Sequence, residues 1–513
     1  MVAATGSALA FPLLSMLVFI PAVGALAVTL MPRRRPEYAK LTAAVASVAT
    51  GALTVWATQA FDTADDGFQF VSRHPWIEAW GISWHLGVDG ISLFLVLLTG
   101  LLFPLAILGI DPHNDDPARD KPYFAWLLLL EAGVMGSFIS LDLFLFFVFF
   151  EIVLVPMYFL IGGWGYEGRV YAATKFFLYT MVGSAFMLVS ILATVFIARN
   201  NGLGYVTFDL VELANEAEFA ASTGRWLFFG FAVAFAVKVP VFPLHTWLPD
   251  AHTQAPTAGS VVLAGVLLKM GTYGFIRFGI PLFPGAAVWA TPFICWLAVI
   301  GIIYGALLAW RQSDIKKLVA YSSVSHLGYV VLGIFLFRTS GESSQLISEG
   351  MIGAIIQMVN HGLSTGMLFL LIGIIYERRH TREIDNFGGI AKVMPVYSTF
   401  FIIATLSSIG LPGLNGFVGE FLILKGSFTA NPLFGALAAT GVILGAVYML
   451  MLCRRFLFGP VIHQENAQLP DVSTREVIYL VPLVVMMVWI GLFSKSFTDL
   501  ISPTVHHYLQ NLL

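Results

Sequence analysis

Apolar runs about twenty residues long follow one another along the whole chain, divided by short polar or Gly/Pro-rich clusters. A run of that length crosses a hydrocarbon core of about 30 Å as an α-helix. Fourteen such spans can be marked, at 8–31, 40–61, 88–110, 122–140, 141–163, 173–198, 226–245, 258–280, 286–310, 318–338, 349–376, 394–424, 432–453 and 475–494. They predict an all-α, polytopic membrane protein. The first run has no positive charge before it and is followed by Arg33, Arg34 and Arg35, so it reads as a retained helix rather than a cleaved signal. Composition agrees, with 58% hydrophobic and 11% charged residues, against about 25% charged in soluble domains. A soluble protein is excluded.

The formal net charge of -3 offers no basic face, which excludes nucleic acid as a partner. Two cysteines, Cys295 and Cys453, lie in apolar segments and form no CxxC or cluster-binding set. Loops after odd-numbered spans carry 17 of the 27 Lys and Arg, and the opposite side carries 7, including Arg73 and Arg277. Because positive loops stay cytoplasmic, both termini are expected in the periplasm of a prokaryotic cell with the chain in its inner membrane. The remaining three lysines, Lys175, Lys238 and Lys269, fall inside spans.

A charge retained at membrane depth normally faces a partner or a wet path. Lys175 is about one turn from an interface and can snorkel to it as an anchor. Lys238 and Lys269 lie too deep for that, and both point to function. Glu151, in LFLFFVFFEIVLVPMYFLI, needs a nearby cation, and Lys238 is the obvious one. Glu131 is also mid-span, where one hydrogen bond to a neighbouring helix would explain it equally well. His326 and His361 sit in polar stripes of the tenth and eleventh spans, and histidine, with an ordinary pKa of about 6.5, exchanges protons readily. Helix-helix hydrogen bonding is the plain alternative for each. Taken together with the lysines, they suggest a relay, with the hydroxyls around His326 able to hold a water chain.

Two spans carry breaks: the seventh at Pro240 and Pro243, the twelfth at Gly410, Pro412, Gly413 and Gly416. Irregular backbone at membrane depth survives only inside protein or along a wet cavity. The seventh span is fourth in the set 4–8 and the twelfth is fourth in the set 9–13, a spacing that suggests two inverted five-helix repeats, each with one broken helix. Lys238 and Glu420 then occupy related positions. The division expected is 1–121 for the first three spans, 122–280 and 281–458 for the repeats, and 459–513 for the last span and tail. No phosphate-binding loop, dinucleotide fingerprint or metal-ligand spacing is visible.

Three stretches, KVPVFPLHTWLPDAHTQAPTAGSVVLAGVLLKMGTYG (Lys238 to Gly274), DIKKLVAYSSVSHLGYV (Asp314 to Val330) and GLPGLNGFVGEF (Gly410 to Phe421), resemble the antiporter-like membrane subunits of respiratory complex I. The M-type branch, called chain 4 in mitochondria, is the most similar: the L and N types place a lysine where this chain has Glu420, and the L type continues into a long lateral helix. The resemblance implies a proton-translocating subunit of an NADH:quinone oxidoreductase. It also implies roles: Glu151 pairing with Lys238, Lys269 as central carrier, His326 and His361 joining the halves, and Glu420 as distal carboxylate. The same resemblance implies no cofactor in this chain, with FMN, iron-sulfur clusters and quinone in other subunits, and L-like and N-like neighbours as partners. A subunit of a multisubunit sodium/proton antiporter, which shares the ancestry and core motifs, is the rival expectation.

Overall fold

Capping chemistry starts several of the helices where the apolar runs begin. In the computed structural model, which describes residues 12–32, 37–109, 119–336 and 344–512, the Asp142 side chain accepts from Phe144 N and Leu145 N to open helix Leu143–Ile152. Asp314 does the same for helix Ile315–Ile334, and Ser473 with Glu476 forms a capping box for helix Thr474–Leu492. Proline at the first turn opens Pro395–Ser408 and Pro432–Phe456. Among the described residues, 11 helices are long and apolar enough to cross a membrane, and two shorter apolar helices, Leu93–Gly109 and Pro395–Ser408, join them. The protein is a mostly helical membrane protein, as expected.

Burial sorts these helices into two layers. The central stretches of helices Thr257–Leu282 and Ser348–Arg379 are fully buried among their neighbours. Around them, outer helices leave large apolar side chains uncovered, including Val23, Val45, Val189, Trp289, Phe293 and Ile443. In a membrane that outer surface meets acyl chains, so its exposure carries no hydrophobic cost.

The expected breaks are present. Helix Ala221–Lys238 stops at Lys238 and the chain re-enters a helix at Trp247–Gln254. Trp247 Nε1 donates to the freed Val237 carbonyl at 2.9 Å, satisfying backbone that Pro240 and Pro243 leave open. Helix Pro395–Ser408 ends at Gly410, which has φ 73°, and resumes at Asn415–Ala430. Two further irregularities were not anticipated. The fifth span breaks at Val153, where Pro156 removes a backbone donor, and the eighth contains π-helical turns at Leu263–Leu267 and Phe275–Gly279.

One face of the bundle carries structure that hydropathy did not reveal. Strands Gln69–Ile77 and Ile82–Val88 pair antiparallel, a short helix spans Leu210–Glu216, and an amphipathic helix runs from Lys495 to Leu512. The first strand is buried only at its start, so its polar and apolar residues do not alternate, and Trp76 and Ile77 both face outward. The connection needs Gly81: its φ is 65°, and a Cβ there would stand 2.2 Å from the Val206 carbonyl oxygen. Asp142 also accepts from Ser83 N at 2.9 Å, and Asp209 caps the short helix while facing His85 Nδ1 at 2.8 Å and Arg73 at 3.3 Å. The hairpin is thus tied to the bundle by two buried carboxylates.

Two residues counted as loop cations lie elsewhere. Arg277 is buried inside the eighth helix and Lys316 is buried in the first turn of the tenth, each in contact with protein rather than water. Neither changes the balance of positive charge between the faces. Lys175 pairs with Asp250 at 2.7 Å and is partly exposed, consistent with an anchor.

Burial opposes ionisation of Asp209, but His85 beside it, with Arg73, holds its carboxyl below the usual range. A depressed folded pKa means the stabilisation is present above the unfolded value of about 3.9 and is lost as pH falls through the folded one. Amide exchange across 69–88 is therefore expected to accelerate in strong acid. Asp209→Asn should bring the same acceleration at neutral pH, at a cost of about 1–3 kcal/mol in hairpin opening, read by hydrogen-exchange mass spectrometry.

Candidate functional site

The two enclosed helices meet at Lys269. Its Nζ lies 2.7 Å from His361 Nδ1 and also donates to the carbonyl of Ala264. Ala264 belongs to the first π-helical turn, and such widened turns recur at functional sites because they alter the regular backbone bonding. His361 and His326 have ring centroids 5.8 Å apart. His326 Nδ1 is 2.9 Å from Glu420 Oε1, which also accepts from Gln357 Nε2 at 3.0 Å. Four of the six candidate residues therefore form one series, Lys269, His361, His326 and Glu420, that crosses from the eighth helix to the twelfth inside the protein. All four are buried.

The break in the twelfth helix is held by the same polar group. Asn360 Nδ2 donates to the Asn415 carbonyl at 2.7 Å, and Ser407 donates to Asn415 Oδ1 at 2.5 Å. Gly419 lets the eleventh helix approach, since a Cβ there would lie 2.5 Å from Gln357 Oε1. Gln357 was not singled out in the sequence, although its place four residues before His361 puts both on one helical face. The hydroxyls around His326 are occupied: Ser322 and Ser323 donate to the Val319 carbonyl at 2.7 and 3.3 Å, and Ser325 donates to Ile302 at 2.8 Å.

Glu151 and Lys238 lie within electrostatic reach of each other. No ion pair within 4.0 Å joins them among the described residues. The Lys238 ammonium lies instead over the Phe150 ring, 4.7 Å from its centroid. The seventh and eighth helices touch beside it, where a Cβ on Gly271 would meet Lys238 Cβ at 3.0 Å. His252, also missed, is fully buried against Phe369, and neither ring nitrogen has a hydrogen-bond partner among the described residues. It is a charged neighbour of Lys269 when both are protonated. Glu131 is buried, with the Ser47 hydroxyl beside its carboxyl group.

Amines, imidazoles and carboxyls placed this way are groups that exchange protons. Among the described residues no set of three His, Cys, Asp or Glu side chains could bind a metal, and both cysteines are free and buried.

A family profile described as "NADH:quinone oxidoreductase/Mrp antiporter, TM" matches residues 140–445, which contain Glu151, Lys238, Lys269, His326, His361 and Glu420. The chain belongs to this family. Among relatives of the NADH:quinone oxidoreductase/Mrp antiporter family, the chain is 41% identical to NADH-quinone oxidoreductase subunit M of Rickettsia bellii, covering 98% of this chain and 99% of that one. It is 44% identical to the subunit M of Rhodobacter capsulatus over 97% of this chain and 96% of that one. A chain in the structure of respiratory complex I from Thermus thermophilus superposes with a TM-score of 0.86 at 31% identity, covering 98% of this chain and 100% of that one. A chain of the Mrp complex from Dietzia sp. has the same fold, with a TM-score of 0.78 at 22% identity, covering 98% of this chain and 52% of that one.

Gly419→Ala is expected to push Gln357 off Glu420 and to lower stability by about 1–3 kcal/mol, the usual cost of overfilling a tight contact. The thermal unfolding midpoint of the purified protein would fall accordingly, whereas Gly285→Ala, with open space around it, should leave the midpoint unchanged.

Proposed function

We propose that this chain is the M-type membrane subunit of a proton-translocating NADH:quinone oxidoreductase, and that Lys269, His361, His326 and Glu420 carry the proton. The observation that supports this most is their buried series, which runs from the π-helical eighth helix to the broken twelfth and has no structural need for so many ionisable groups. Full-length relatives at 41% and 44% identity are subunits M, whereas the Mrp chain is similar at 22% and only 52% of it is covered, which favours this reading over a free sodium/proton antiporter.

The geometry suggests how one proton moves. A charged Lys269 donates to the lone pair of His361 Nδ1, and transfer leaves a neutral amine and an imidazolium. The ring centroids of His361 and His326 are 5.8 Å apart, and the proton crosses this step by a turn of either ring or through a bridging water. His326 then takes the proton and passes it directly to the Glu420 carboxylate at 2.9 Å. Glu151 acts on Lys238 through space, so that a change of charge at either one alters the field felt one helix away by Lys269. Quinone reduction, with its FMN and iron-sulfur centres in other subunits, supplies the driving force. L-like and N-like subunits flank the chain in the membrane. The inverted repeats would be 122–280 and 281–458, preceded by 1–121 and followed by 459–513. The Lys and Arg distribution supports placing the hairpin face and both termini on the periplasmic side.

Lysine can release its proton and arginine in proteins cannot, so Lys269→Arg should assemble but lose most redox-linked pumping. Full pumping by that variant would reduce Lys269 to a fixed charge. Glu420→Lys should retain substantial pumping and Glu420→Gln should lose most of it, as read from the proton-to-electron ratio in vesicles with assembly checked on a native gel. Glu151→Asp should keep part of the pumping that Glu151→Ala loses, because their coupling acts without contact.

A further inference from the structure

Asp89 and Arg277 form a second buried charged site, outside the series from Lys269 to Glu420. Arg277 NH2 lies 2.5 Å from both carboxylate oxygens of Asp89, and both side chains are almost fully enclosed. Asp89 Oδ1 has other donors, Ile91 N at 3.1 Å, Ser92 N at 3.0 Å and Ser92 Oγ at 3.2 Å, whereas Oδ2 accepts from Arg277 alone among the described residues. Arg277 Nε donates to Tyr273 Oη at 3.1 Å, and its guanidinium carbon lies 4.7 Å from the Phe68 ring centroid and 5.4 Å from that of Tyr273. Lys269, Tyr273 and Arg277 stand four residues apart, on one face of the eighth helix. About 12 Å of helix axis separates Lys269 from Arg277, and the second π-helical turn, Phe275–Gly279, holds Arg277 itself.

Next to the pair is a cavity of about 100 Å³, which opens toward the hairpin face and is lined by Asp66, Asp89, Arg277, Thr504, His507 and Tyr508. The C-terminal helix roofs it: Thr504 Oγ1 accepts from Gly90 N at 3.1 Å, Tyr508 donates to the Ile276 carbonyl at 2.6 Å, and His507 faces Asp66 at 3.2 Å. A pair serving only as a strut would need neither a polar cavity nor a second acid within it. A buried ion pair is weak support for stability, because desolvation offsets much of its attraction.

We propose that Asp89 and Arg277 form a gated proton passage between Lys269 and the hairpin face. Arg277 moving from Asp89 toward Asp66 frees Asp89 Oδ2. When the series runs back from His361 and recharges Lys269, one proton leaves the ammonium, crosses by water along the Tyr273 face, binds Oδ2, and is released through the cavity when Arg277 returns, leaving Lys269 neutral. Arg277 stays charged throughout. The groups facing Asp89 are Arg277, Tyr273, Tyr508 and, across the cavity, Asp66 and His507.

This inference rests on Lys269 as a carrier, and the test separates the two. In the assembled complex, Asp89→Asn keeps the shape and the hydrogen bonds to 91 and 92 but cannot take a proton, so a lower proton-to-electron ratio is expected, with partial rescue in Asp89→Glu. An unchanged ratio in Asp89→Asn beside lost pumping in Lys269→Arg would overturn the gate and leave the carrier standing. Unchanged ratios in both would overturn the carrier as well. If Asp89→Asn does not assemble, Asp89→Glu decides: moving the carboxyl by one methylene should shift the pH profile of pumping, and a profile identical to that of the unaltered complex would make the pair a strut.

Discussion

The amine of Lys269 is fully enclosed by protein, and a charge in that position persists only if acceptors are already in place around it. Two are: the Ala264 carbonyl from its own helix and His361 from the facing one. Much of the interior follows from meeting that demand. The eighth helix widens at Ala264, the eleventh lies against it along its length, and His361 is in turn carried toward His326 and Glu420 by Gly419, which has no side chain to keep the twelfth helix away. The outer helices then serve chiefly to keep lipid from these polar groups.

Irregular backbone and ionisable side chains coincide for one physical reason. A helix interior offers no free donors or acceptors, so a polar side chain at membrane depth must find them on other side chains or on backbone that has left the regular pattern. Lys238 ends its helix, Lys269 follows a π-helical turn, Glu151 precedes the break at Val153, and Glu420 lies one turn beyond Asn415. Trp247 and Asn360 satisfy the carbonyls these breaks release.

Most of the membrane-spanning architecture was legible because lipid imposes one requirement on every exposed helix, about twenty apolar residues in a row. The six candidate residues were legible for the opposite reason, as charges or histidines where that requirement is violated. What escaped had no such contrast. The hairpin at 69–88 lacks alternation because only the start of its first strand is covered. Arg277 was taken for a loop residue since it falls near the end of an apolar run, and only its partner Asp89, 188 positions earlier, explains its burial. Gln357 and His252 are polar residues of ordinary kinds whose importance depends on which helix faces them. The contact of Lys238 with Phe150 was hidden by a phenylalanine-rich run in which any ring could have been the one.

The π-helical turn before Lys269 also bears on how the chain is made. His361 lies 92 residues after Lys269, so at synthesis rates of about 5–20 residues per second the lysine leaves the ribosome roughly 5 to 18 s before its partner histidine exists. The Ala264 carbonyl, by contrast, is five residues earlier and emerges first. A nascent helix carrying that widened turn enters the bilayer with an acceptor for its ammonium already built in, and it can wait for the eleventh helix without pulling water in after it. Restoring a regular turn there would burden biogenesis before it touched transport.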